Sequence, residues 1–342
     1  MDGCRREGVD RRTFVASVAG SFIASAPSFA AKPKPPVLRI DGLSTFIDNL
    51  DRPEGIAVDR AGRVIFTDHH AAVTIREPDG TLSRRGDAIA PCGVALDGKG
   101  NAIVANMGLL SGKPGVLQRV ALSNGADEKL AESFDGRALL ASNSPCVAAD
   151  GTIYCSHSSW GNAKAIGKTI ADGFVYMVSP GGKARIVATG IRGANGTCID
   201  PAQLYLYVAV TPEARIIRYR RLPDGRLGPR ENFGPQLGEA VPDQTIDAIR
   251  ALPPQDRRRL GYCDGIAFDA DGNLWVTLPF ANRLVAITPA GELIDVMHDG
   301  EGSIFDMPTN IAWGGKDRRD LFIVARARNM IVRGRTNVRG AV

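Results

Sequence analysis

The sequence predicts an all-β chain folded as a six-bladed β-propeller with a central channel. Three observations carry that prediction: a short phrase recurs along the chain, each copy of it reads as a β-hairpin, and further strand signals follow the hairpins. The clearest copies are Pro53-Glu54-Gly55-Ile56-Ala57-Val58-Asp59 with Gly62 and Val64-Ile65-Phe66, Pro91-Cys92-Gly93-Val94-Ala95-Leu96-Asp97 with Gly100 and Ala102-Ile103-Val104, and Cys263-Asp264-Gly265-Ile266-Ala267-Phe268-Asp269 with Gly272 and Leu274-Trp275-Val276. Weaker copies run from Asn143 to Tyr154, from Ala194-Asn195-Gly196 to Tyr207, and from Pro308-Thr309-Asn310 to Val324. Their spacing ranges from 38 residues (Glu54 to Cys92) to 69 (Asn195 to Asp264). One small sheet cannot bury its faces alone, but six packed radially can.

The elements follow in chain order. Arg11-Arg12 and Thr13-Phe14 open an apolar run to Ala26 that ends at Ser28-Phe29-Ala30, so residues 1–30 read as an export signal of twin-arginine type, with an ordinary secretory signal as the alternative. The mature protein then starts near Ala31 or Lys32 and is expected in the periplasm or outside the cell. No later apolar stretch reaches the roughly 18 residues of a membrane span. Val37 to Phe46 is expected to add a strand to the last blade and close the ring. Residues 37–328 form the propeller domain and 329–342 a C-terminal tail. The long stretches Ser123 to Leu140 and Pro223 to Arg259 are expected as loops or short helices on one face, with Ala248-Ile249-Arg250-Ala251 helical.

Composition narrows the function. Of 342 residues 44% are apolar and 23% charged, which excludes a disordered, collagenous or coiled-coil polymer. The charge of +5 comes from 42 basic and 37 acidic residues without a basic stripe, so no nucleic-acid surface is expected. Cys92, Cys146, Cys155, Cys198 and Cys263 remain once Cys4 is assigned to the signal; odd in number and lacking any C-x-x-C pair, they are expected as buried thiols.

In the clearest copies a turn glycine follows a fixed residue by eight positions: Glu54 to Gly62, Cys92 to Gly100, Asp264 to Gly272. The same offset from Gly151 selects Asn143, the phrase Asn195-Gly196 fixes the fourth unit, and the sixth gives Thr309. These inner-strand starts converge on one channel mouth. Two carboxylates and two amides there are poor core material. Glu54, Asn143, Asn195 and Asp264 suit a hard divalent cation, most naturally Ca²⁺, with Zn²⁺, Mn²⁺ or Mg²⁺ as other candidates; polar residues lining a water-filled channel are the alternative. Residues fourteen beyond the ligand, Asp68, Asn106 and His157, are expected to return to the same mouth, with Asp68, Asn106 and Thr309 contacting substrate and His157 moving a proton. His69 and His70 would cap the rim, and His298 belongs to an outer strand or turn.

The phrases Arg52-Pro53-Glu54-Gly55, Ala194-Asn195-Gly196, Cys263-Asp264-Gly265-Ile266-Ala267 with Asp271-Gly272-Asn273-Leu274-Trp275-Val276, and Pro308-Thr309-Asn310-Ile311-Ala312 resemble the gluconolactonase, senescence marker protein (regucalcin) and luciferin-regenerating enzyme family over roughly Val37 to Arg328. The resemblance implies six blades with one divalent metal in the channel mouth. It implies Glu54, Asn143, Asn195 and Asp264 as metal ligands. The family's Ser-Pro-Asn-Asp phrase reads Ser144-Pro145-Cys146-Val147 here, so a register slip in that blade would put Cys146 at the site instead. His157 lies where the family more often carries Asp, and the family's substrate-binding Arg and Asn find no match.

The implied activity is hydrolytic opening of a lactone, a sugar lactone or related cyclic ester, by a metal-polarised carbonyl and an activated water. Asp264 is then the catalytic base, or else holds the metal while metal-bound water attacks. A non-enzymatic propeller that binds a ligand or partner around a structural Ca²⁺, and a phosphotriester or aryl ester hydrolase, are the rival readings. The expected partner is a small-molecule substrate, and the expected state a monomer.

Overall fold

The acidic residue that ends the repeated phrase ties each hairpin turn. Asp59 Oδ1 accepts from the amides of Ala61 and Arg63, Asp97 Oδ1 from Lys99 and Asn101, and Asp269 Oδ1 from Asp271 and Asn273. The glycine of each turn, Gly62, Gly100, Gly151 or Gly272, has φ between +82° and +91°, a conformation that disfavours any residue with a Cβ. Aspartate and glycine therefore recur together because one turn geometry needs both.

The computed structural model describes residues 35–161, 170–241 and 245–341, besides Met1; the export-signal segment and Cys4 lie outside them. Six four-stranded antiparallel sheets form the blades of a β-propeller. The inner strands, in order, are Ile56–Val58, Pro91–Leu96, Ser142–Val147, Ala194–Ile199, Ile266–Phe268 and Pro308–Gly314. Each touches the inner strands on both sides, so they make an unbroken cycle around the channel.

Six apolar clusters hold the ring, one in each cleft between neighbouring blades. Ile65 and Val73 of the first blade pack with Val104 and Val120 of the second. Phe322 and Val324 of the sixth return to Ile56 and Phe66 of the first. The second strands, such as Val64–Asp68 and Leu274–Leu278, are buried along their whole length because a neighbour covers each face.

Ile40–Ile47 pairs with Met330–Thr336 and closes the last blade, as the sequence suggests. The expected C-terminal tail, residues 329–342, is corrected here: Met330–Thr336 is the third strand of that blade, packed on Asp320–Ala325. The closing strand needs a partner edge, and this segment is that edge. The two long inter-blade stretches also contain strands, Asp127–Ala131 and Leu227–Phe233, the outermost of their blades. The second continues into an insert with helices α1 (Ile246–Arg250) and α2 (Pro254–Arg257). Thr245 caps α1, its side chain accepting from the Ala248 amide. All five described cysteines are free thiols.

Candidate active site

Glu54, Cys92, Asn143, Asn195 and Asp264 line one cavity of about 360 Å³ at the channel mouth. The eight-residue offset and the Asn195-Gly196 phrase thus bring five of the six inner-strand starts together. Thr309 stays behind the wall: it is buried, and its hydroxyl donates to the Glu54 carbonyl, joining the last blade to the first. The strands approach so closely that a Cβ at Gly55, Gly93, Gly196 or Gly265 would strike the neighbouring strand's backbone, at Cys92, Asn143, Asp264 or Thr309 respectively. At these four positions glycine is therefore a packing requirement of the mouth.

The two amides are fixed by the same device. Asn143 Nδ2 donates to Ser158 Oγ, which donates to the Ala194 carbonyl, and Asn195 Nδ2 donates to Thr211 Oγ1, which donates to the Cys263 carbonyl. Each hydroxyl holds one amide and the residue preceding the next ligand. With its NH₂ committed, Asn195 is left with a buried Oδ1 that has no hydrogen-bond partner among the described residues. Among the described residues Asn143 Oδ1 has only the Cys92 thiol, 3.9 Å away.

The carboxylates carry the electrostatics. Burial and the nearby charge of Glu54 push Asp264 well above the ordinary carboxylate range. Burial also raises Glu54, against the opposing fields of Arg326, Arg52 and Arg250. Two desolvated carboxylates and an orphaned amide oxygen are a donor set that a hard cation would satisfy, so the residues present fit a divalent metal of oxygen preference. Burial and Glu54 raise the Cys92 thiol, leaving it protonated and poorly suited as a ligand. Cys146 pairs with Tyr154 inside its blade, away from the cavity lining, and its thiol is pushed up to about 12 by burial. The expected alternative ligand therefore stays in the blade's interior.

The residues fourteen beyond the ligand positions do not return to the mouth. Asn106 Oδ1 accepts from the Ala90 amide, and its Nδ2 donates to Gln118. His157 Nε2 accepts from the amides of Leu140 and Ala141, with the ring stacked on Phe174. Asp68 Oδ1 accepts from Thr74. All three are buried and outside the cavity lining, which corrects the expected substrate contacts of Asp68, Asn106 and Thr309 and the proton transfer by His157. For Asn106 and His157 the reason is a β-bulge on the inner strand, present in blades two, three, four and six: Pro91 faces Asn106 and Ser142 faces His157, whereas Val94 faces Val104 and Pro145 faces Cys155. The extra inner-strand residue turns the inner-strand start into the channel and its expected partner away from it.

One step further along, His69, Met107 and Ser158 do line the cavity, joined from longer hairpins by Thr211 and Arg326. The strongest of these is Arg326, whose guanidinium is ion-paired with Glu54. Sequence reading missed it because it follows a weak copy of the repeat. The insert supplies Val241, Ile246, Ile249, Arg250 and Tyr262, which cover the mouth with a largely apolar wall.

Fold and mouth together define a class: six-bladed propellers with carboxylate and amide oxygens converging at one end of the channel. The chain belongs to the SMP-30/Gluconolactonase/LRE-like family, whose match spans residues 52–327. It is similar to a 6-deoxy-6-sulfogluconolactonase from Pseudomonas putida, 26% identical over 147 residues, which is 43% of this chain and 43% of that protein, so the match spans less than half of that relative. Among solved structures it is similar to a gluconolactonase from Xanthomonas campestris, with 21% identity, a TM-score of 0.65, and 86% of this chain and 89% of that one covered. Regucalcin from Agrobacterium tumefaciens, described as a calcium-binding protein, superposes with a TM-score of 0.65 at 16% identity over 89% of this chain and 96% of that one. At these identities the structural likeness is one of fold.

Proposed function

We propose that this protein is a metal-dependent lactonase. The observation that carries the reading is the convergence of Glu54, Asn143, Asn195 and Asp264 on one cavity, with both amides tied back by their NH₂ groups, the Asn195 oxygen without a partner among the described residues and the Asn143 oxygen met by the Cys92 thiol. These four would hold a divalent cation, most naturally Ca²⁺. When bound, the cation supplies positive charge that polarises the lactone carbonyl.

The chain's own groups do the rest. Arg326 holds the Glu54 carboxylate in place. Asp264 takes the proton of the water whose oxygen bonds to the carbonyl carbon, and returns it to the ring oxygen as the C–O bond breaks, leaving a hydroxy acid. The wall of Val241, Ile249 and Tyr262 keeps other water out, which strengthens the charge interactions inside. The N-terminal twin-arginine pattern supports export, and no helix among the described residues is long and apolar enough to cross a membrane.

Acid release from a panel of γ- and δ-lactones, measured with Ca²⁺ and with excess chelator, tests the reading. Turnover that is lost on chelation and regained on adding metal is expected. Turnover of none of them, despite stoichiometric metal binding, would leave the mouth as a ligand-binding site.

A further inference from the structure

We propose that the mouth selects a lactone bearing an anionic substituent (carboxylate, sulfonate or phosphate), and that Arg250 of the insert and Arg52 of the first blade recognise it. The proposal rests on the lactonase reading and goes beyond it to the substrate class. Three arginines, Arg52, Arg250 and Arg326, line the same cavity, the first two as exposed residues. Arg326 is committed to Glu54. Among the described residues Arg250 has as its ionic partner only Asp247, 3.8 Å away on the same helical turn, with Asp247 72% exposed, a surface pair of little worth. The Arg52 guanidinium has no ion pair or hydrogen bond among the described residues. Its backbone is nonetheless fixed, at φ +52° immediately before Pro53, with its amide donating to Asn329 Oδ1. Such a conformation in a residue with a Cβ persists only where the surroundings enforce it.

The acids in the cavity are Glu54, Asp264 and Asp247, and the first two are those a cation would neutralise. With a divalent ion bound, three guanidiniums and two metal charges face three carboxylates, leaving an excess of two positive charges. The fields of these guanidiniums converge inward: Arg52, Arg250 and Arg326 all act on Glu54, and Arg250 and Arg326 on Tyr262.

Neutral sugar recognition is poorly served by the remaining wall. Ser158 and Thr211 are already spent on the amide relays, and the insert contributes Val241, Ile246 and Ile249. A polyol ring would find uncharged partners only at His69, Ser111 and Tyr262 on the rest of the lining. An anionic group reaching Arg250 and Arg52 is matched by charge-assisted hydrogen bonds, while the lactone ring lies against the apolar wall.

The test uses the full-length mature protein with Ca²⁺ and isosteric pairs. For hydrolysis the pair is 5-oxotetrahydrofuran-2-carboxylate and its carboxamide, with δ-gluconolactone and its 6-phosphate as a second arm to separate carboxylate from phosphate preference. The anion is expected to exceed its neutral partner at least tenfold in kcat/KM at low salt, with the gap narrowing as ionic strength rises. In Arg52→Gln and Arg250→Gln the preference should fall toward unity through a higher KM for the anion. A parallel calorimetric titration with tetrahydrofuran-2-carboxylate and its carboxamide, which have no lactone to open, reads recognition without turnover. Tighter carboxylate binding that is lost in the Arg52→Gln/Arg250→Gln double variant supports the proposal even if no lactone is hydrolysed, in which case the lactonase reading alone fails. Equal binding of the two ethers, or a preference unchanged in the double variant, overturns the proposal.

Discussion

The guanidinium of Arg326 is ion-paired with the carboxylate of Glu54 across 272 residues of sequence, inside the channel mouth. The pair places a cation of the chain's own beside a carboxylate expected to hold a metal. It gives the mouth a compensated charge before any metal arrives. Glu54 raises the Arg326 pKa in turn, so the guanidinium stays charged.

Removing that internal cation should make the fold depend on the external one. In Arg326→Gln, Glu54 and Asp264 face each other without the guanidinium, and loss of one partner of a buried pair costs about 3–5 kcal/mol. The metal-free variant is expected to melt well below wild type, and Ca²⁺ to raise its melting temperature more than it raises wild type's. Thermal melts in chelator and across a calcium titration measure both. Equal calcium-induced shifts in the two proteins would mean that the guanidinium and the metal do not compete for Glu54.

Asp264 can be tested without altering the shape of the site. Asp264→Asn keeps volume and removes both the charge and the proton acceptor, so hydrolysis should fall by about a hundredfold or more. The change also removes a desolvated carboxylate, and the melting temperature should hold or rise. Rate and melting curve on one preparation separate the two effects, and a variant with substantial residual rate would move the base elsewhere.

The third blade offers a contrast between neighbours. Asn143 lines the cavity and Cys146 does not. Asn143→Ala should weaken calcium affinity by at least tenfold in a calorimetric titration. Cys146→Ser should leave that affinity near wild type and cost about 1 kcal/mol or more of stability by burying a hydroxyl where a thiol packed. The reverse pattern would require a three-residue shift of this strand.

His157 carries a pH signature of structure rather than catalysis. Burial, then the charge of Arg137, pushes the imidazole down to about 3, and its Nε2 accepts two backbone amides that a proton would displace. The folded pKa lies below the unfolded one, so the contribution is fully present above about pH 6.5 and is lost as pH falls toward 3. Within that window the unfolded chain binds the extra proton. Stability should therefore drop by about 1.4 kcal/mol per pH unit from this residue. His157→Gln keeps an acceptor and does not titrate, so its urea-unfolding free energy should change less between pH 7 and 4.5. Identical slopes for the two proteins would refute the assignment, and loss of turnover at neutral pH without loss of stability would restore a catalytic role.

The sequence by itself determined the six blades and the register of the inner-strand starts, because both are local. A hairpin turn that needs aspartate at one position and positive φ at another repeats visibly, and counting back from Gly62, Gly100, Gly151 and Gly272 reaches the inner-strand starts whatever the rest of the ring does. The closing strand was legible as well, since Val37 to Phe46 precedes the first copy and has no other blade to join. Tertiary structure alone decided what faces those inner-strand starts. A bulge of one residue beside them reverses every side chain on the partner strand, so Asn106 and His157 hold the entering backbone while Met107 and Ser158 look into the mouth. A bulge leaves no mark in a pattern of period two. Arg326 and Arg250 were hidden for a different reason: Arg326 meets Glu54 only when the ring closes, Arg250 reaches the same cavity only when the insert folds over it, and no spacing along the chain records either approach.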